Sequence, residues 1–98
     1  MVAIICQLEM IIYEANSLKE KRSVIKSIIE KTRKKYYISI IESNFHDYWQ
    51  KSELSFSFCS IQVKDARKKL EGIIKSIESN PYIEIYETNI EEVTGRVL

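Results

Sequence analysis

The sequence predicts an α+β fold in which a four-stranded antiparallel sheet carries two helices on one face. Three observations predict it: strand-like alternation recurs in separate stretches, two intervening segments carry apolar residues at helical spacing, and their order is strand, helix, strand, strand, helix, strand.

From Val2 to Ile12 every even position is apolar (Val2, Ile4, Cys6, Leu8, Met10, Ile12), while the odd positions include Gln7 and Glu9. Successive side chains on a strand point to opposite faces, so this strand has one fully buried side. Ser17 and Glu20 form a capping box, each able to satisfy an orphan amide of a new helix turn. Leu18, Ile25, Ile28, Ile29 and Thr32 then recur at helical spacing, predicting a helix from Leu18 to Lys35 whose basic last turn suits the helix dipole.

Tyr36 to Ser43 reads as a second strand. Glu53 to Ile61 reads as a third, with Leu54, Phe56 and Phe58 alternating with Glu53, Ser55 and Ser57. Asp65 is the expected cap of a second helix that runs to Ser79 along the stripe Ala66, Leu70, Ile73, Ile74 and Ile77. Asn80-Pro81 stops it. Tyr82 to Thr88 alternates again and forms the fourth strand, leaving 91–98 as a short tail. This order is the ferredoxin-like βαββαβ arrangement, with an expected spatial order 4-1-3-2. By parity Cys6 belongs to the helix side and Cys59 to the open side, so the two form no disulfide.

The 98 residues suit one domain, 1–98. Hydrophobic content of 45% with 30% charged residues argues against disorder. The apolar start lacks a basic leader and is interrupted by Gln7 and Glu9, so export is not expected. No apolar run reaches the roughly 20 residues of a membrane span. Two cysteines make neither a disulfide framework nor a zinc site, and a reducing, cytoplasmic location is expected.

Formal net charge is +1, unevenly spread. Residues 19–35 carry eight Lys/Arg against Glu20 and Glu30, a local +6, and the rest of the chain sums to about −5. Lys64, Arg67, Lys68 and Lys69 add a basic cluster at the second helix. Glu84, Glu87, Glu91 and Glu92 make the C-terminal region acidic. A basic side and an acidic side are expected.

Two stretches, Ser17-Leu18-Lys19-Glu20-Lys21-Arg22 and Asp47-Tyr48-Trp49-Gln50-Lys51-Ser52-Glu53-Leu54, resemble motifs of the YlxP-like family of small bacterial proteins of unknown function. The resemblance spans nearly the whole chain. It implies a ferredoxin-like fold and, because such genes often lie beside those of translation factors, a role near the ribosome, with ribosomal RNA or a translation-related protein as partner. It supplies no catalytic residues. Tyr48 stands where an aliphatic residue is frequent, and the strand after Leu54 is richer in Phe and Ser; neither disturbs the motif.

Three places invite a functional reading. Lys19, Lys21, Arg22 and Lys26 crowd the start of the first helix. Each cation at a helix N-terminus is disfavoured by roughly 0.3–1 kcal/mol unless an anion is present, so this is a candidate RNA or anion site. The alternative is long side chains snorkelling from a solvated helix end. The link from Asn44 to Ser52 is long for a hairpin and holds His46, Asp47, Trp49, Gln50 and Lys51, a candidate partner-binding segment. Trp49 is otherwise an anchor closing the loop on the sheet edge.

His46 and Asp47 are adjacent on an extended segment and point apart, which disfavours an acid/base pair. Glu42 and Glu53 add no metal site to them. The open sheet face, with Ile5, Gln7, Glu9, Ser55, Ser57, Cys59, Tyr37, Tyr82 and Tyr86, has serines where RNA-recognition domains stack bases. It suits sheet-to-sheet homodimerisation instead. The two glycines build no phosphate loop, so no enzyme, cofactor or resident metal is expected, nor any DNA specificity. The leading expectation is a non-enzymatic binding protein with a basic helical face; the alternative is a homodimeric protein-interaction module with no nucleic-acid role.

Overall fold

In the computed structural model, which describes residues 1–95, β1 (Val2–Ile12) is followed by α1 (Leu18–Tyr36), β2 (Ser39–Asn44), β3 (Lys51–Ser60), α2 (Val63–Glu78) and β4 (Ile83–Thr94). The strands lie in the order β2-β3-β1-β4 and every neighbouring pair is antiparallel, as predicted. All six even positions of β1 are buried; Ile4 faces Phe58, Cys6 faces Phe56 and Leu8 faces Leu54 across the β1–β3 ladder. With Ile40 beside Phe56, these residues floor the core that both helices cover.

The two helices bury the same spacing. α2 turns Ala66, Leu70, Ile73 and Ile77 inward, and α1 turns Lys21, Ile25, Ile28 and Thr32 inward. A lysine therefore occupies the stripe position that alanine fills in α2. Thr32 satisfies its hydroxyl by donating to the Ile28 carbonyl at 2.7 Å. The capping box forms with one change of partner: Ser17 accepts from the Glu20 amide at 3.1 Å, but Glu20 reaches past Ser17 to the Asn16 amide at 2.6 Å.

Several boundaries differ from those expected. α1 continues through Tyr36, and Tyr37 caps it in the left-handed region (φ 53), its amide donating to the Arg33 carbonyl. β2 thus begins at Ser39, and Tyr37 leaves the open sheet face for a bare corner. α2 starts two residues before Asp65, with Gln62 at the cap position, and Asp65 sits in the first turn, where its charge still favours the dipole.

The largest difference is β4, which runs on to Thr94 instead of ending at Thr88. Its second half pairs with Val2 to Gln7 through its backbone, and a bulge at Tyr86 sets the register. Apart from Arg67, which reaches Glu92, the helices leave that half uncovered, so Ile90 is half exposed although it lies opposite buried Cys6. Strand pairing without burial leaves no alternation to read. The last three residues of the expected tail lie outside the described residues.

Cys6 is wholly buried and Cys59 exposed, one on each face of the sheet. Burial pushes the Cys6 thiol up to about 11. No described helix is long and apolar enough to cross a membrane.

Candidate functional site

Lys21 is the first residue whose role the structure changes. Its side chain is 0% exposed, and its ammonium lies 2.6 Å from a Glu42 carboxylate oxygen and 2.8 Å from the Phe45 carbonyl. Glu42 follows Ile40 on the helix-facing side of β2, and its carboxylate also accepts from the buried Ser52 hydroxyl at 2.5 Å. Lys21 is therefore an internal clasp that joins α1, β2 and the start of β3. The expectation that it meets an external anion is corrected: desolvating a charge this fully requires the partners it already has.

The other three predicted cations do point outward. Lys19, Arg22 and Lys26 are exposed, as are Lys31, Arg33, Lys34 and Lys35 farther along α1. Lys26 and Glu30 stand 4.0 Å apart on the surface, and Glu20 is occupied by the helix cap. Arg22, Lys26 and Arg33 rim a shallow groove floored by Ile25, Ile29 and Ile41, between α1 and the outer edge of β2. Arg33 has a structural duty as well, donating to the Ile40 carbonyl at 2.9 Å.

The segment between β2 and β3 is held by its backbone. Phe45 turns the chain in the left-handed region (φ 64) and its carbonyl is the one Lys21 grips. The Tyr48 amide donates back to that same carbonyl, and the Phe45 and Tyr48 rings meet edge to face at 5.3 Å. Gln50 donates from its side chain to the Ala15 carbonyl, and its own carbonyl accepts from the Ile12 amide. Trp49 is 53% exposed, so the anchoring role expected of it falls to Lys21, and the exposed-aromatic alternative describes Trp49 better.

His46 is exposed and donates through Nε2 to the Glu42 carbonyl at 2.9 Å, while Asp47 faces solvent. Lys51 lies 4.0 Å above the Phe45 ring and 5.8 Å from the Tyr86 ring, on the open face. Among the described residues no group of three His, Cys, Asp or Glu side chains is placed to hold a metal ion.

The open face is acidic. Glu53, Glu9 and Glu87 stand side by side across β3, β1 and β4, with Glu84 and Glu91 on the same side of β4. Glu53 is partly compensated by the Ser43 hydroxyl at 2.7 Å, and Glu84 accepts from the Tyr13 hydroxyl, whose pKa is raised by that bond. Glu87 is held above the usual carboxylate range, first by sharing a hydrogen bond with Glu9 and then by that neighbour's charge. A carboxyl raised in the folded state favours folding below its ordinary pKa, and that contribution is lost as pH climbs through the raised value. Glu87→Gln should therefore melt higher than the parent at pH 7, with the gap closing as pH falls into the carboxylate range. A melting-temperature series over pH checks this; a gap that widens on acidification would contradict it.

The fold and these surfaces define a ferredoxin-like α+β domain built around a buried lysine clasp, with opposite charge on its helical and sheet faces. The family described as "Protein of unknown function (DUF503)" matches residues 3–90, and the chain belongs to that family. It is 37% identical over 83 residues to the "Uncharacterized protein YlxP" of Bacillus subtilis (strain 168), covering 85% of this chain and 90% of that protein. The family resemblance read from residues 17–22 and 47–54 is thereby confirmed.

Two solved structures share the fold. A de novo designed protein with ferredoxin fold superposes with a TM-score of 0.58 at 16% identity, covering 100% of this chain and 92% of that one. SnoaB, a cofactor-independent oxygenase from Streptomyces nogalater, gives 0.55 at 7% identity, covering 100% and 97%. At such identities the likeness is one of architecture alone.

Proposed function

We propose that this chain is a non-enzymatic, cytoplasmic binding protein that docks structured ribosomal RNA on the exposed face of α1. The observation that carries the reading is the row of exposed cations on that helix, Lys19, Arg22, Lys26, Lys31, Arg33, Lys34 and Lys35, against Glu30 as the exposed acid not engaged in the cap. A helix repeats about every 5.4 Å, so cations three and four residues apart form a line along which a phosphate backbone can be tracked. The contact is electrostatic and recognises shape in place of sequence, which fits a sheet face without stacking aromatics on its two central strands.

A sheet-to-sheet homodimer fits the charges less well. It would set Glu9, Glu53, Glu84, Glu87 and Glu91 of one copy against the same acidic surface of another.

Filter binding to structured ribosomal RNA tests the reading. Affinity should fall steeply between about 50 and 200 mM salt, with a log–log slope that counts the phosphates neutralised. Arg22→Glu together with Lys26→Glu should reduce binding at least about tenfold and flatten that slope by roughly one to two. Absence of RNA retention at the lowest salt overturns the proposal, as does retention indifferent to both substitutions.

A further inference from the structure

The two edges of the sheet are treated differently. β2 is short, carries a register shift between Glu42 and Asn44, and has side chains on its carbonyls: Arg33 on Ile40 and His46 on Glu42. Edge strands recruit other strands unless they are shortened, bulged or covered, and β2 has all three protections. β4 is twelve residues long; its one bulge, at Tyr86, leaves the run from Glu87 to Thr94 regularly paired, and no side chain covers a carbonyl of that run among the described residues.

We propose that the outer edge of β4 accepts an extended, basic segment of a partner protein as a fifth strand. Main-chain hydrogen bonds supply the affinity in such strand addition, and alternate side chains supply the choice of partner. Here the choice is set by charge. Glu84, Glu87 and Glu91 line the open side of β4, backed by Glu9 and Glu53 one and two strands away, whereas Glu92 on the other side is already paired with Arg67 at 2.9 Å. Past the bulge the open side of β4 presents Glu87, Asn89, Glu91 and Val93 in turn, so lysine or arginine on an added strand meets Glu87 and Glu91 directly, and Ile90 and Val93, both exposed, give apolar contact on the two sides. The chain's own Lys51, seated over Phe45 and near Tyr86, is the local precedent for a cation on this face.

A second copy is the wrong occupant. β4 against β4 would oppose two acidic strands, and β4 against β2 meets a covered edge. The acidic edge flanks α2 and the basic helix flanks β2, at opposite ends of the sheet, so both surfaces can be filled at once.

Amide NMR of the full chain, titrated with a synthetic seven-residue peptide alternating lysine and threonine, is the test. Shifts and slowed amide exchange should concentrate in β4, and binding should weaken at least tenfold either when alternate peptide amides are N-methylated or in the Glu87→Lys, Glu91→Lys double variant. That variant should keep its parent-like spectrum and its RNA retention through α1. The proposal is overturned if the methylated peptide binds equally well, if the shifts fall on β2, or if β4 is occupied by self-association before peptide is added.

Discussion

Replacing Lys21 by methionine is expected to cost about 3–5 kcal/mol of folding stability, although methionine fills nearly the same space. The loss would come from what stays behind. Glu42 keeps only 14% of its side-chain exposure and would hold its charge with Ser52 as its remaining close partner. The Phe45 carbonyl would lose its 2.8 Å donor at a residue whose left-handed backbone is already unfavourable for a bulky side chain. Adding Glu42→Gln should return much of the loss, because the stranded charge is then gone while the hydrogen bond from Ser52 persists. Urea unfolding of the two single variants and the double variant measures this; a loss below about 1 kcal/mol for Lys21→Met would mean that the pair behaves as a solvated surface bridge.

Phe56→Ala should be comparably severe, about 3–5 kcal/mol, because Phe56 sits near the centre of the sheet face that the helices cover. It is 2% exposed, with Ile40 on one side and Cys6 on the other. A domain of this size has only about 5–15 kcal/mol in hand, so the melting temperature should drop by roughly 15–30 °C. Phe58 is the internal control: two residues on, it points to the same side but is only partly buried, with Lys69 stationed 4.8 Å over its ring. Phe58→Ala should cost clearly less. Equal losses in calorimetry would place the centre of the core elsewhere along β3.

Most of the architecture was legible because β1, β3 and both helices bury one face and leave the other wet, which imprints period two or period 3.6 on the chain. The parts that differ from expectation lack that asymmetry. The second half of β4 pairs through its backbone beyond the apolar stripes of the helices, so no alternation marks it, and Tyr36 and Tyr37 divide between a helix end and its cap with nothing in their type to say so. Lys21 was within reach: it stands four residues before Ile25, in phase with Ile28 and Thr32, and Glu42 has the parity of Ile38 and Ile40. Two opposite charges, each at a core position of its own element, were the signal. Trp49 gave no comparable sign, since a large aromatic in a loop is equally compatible with an anchor and with an exposed ring.

The separation of charge between α1 and β4 bears on how an encounter begins. With a formal net charge of +1, the chain feels little overall pull toward a polyanion. A molecule with cations along one flank and carboxylates along the other nonetheless feels a torque, and within a Debye length of about 8 Å that torque turns it before contact. The helix would arrive first and the strand edge would trail, so orientation would be selected during approach, leaving the far edge presented to whatever binds next.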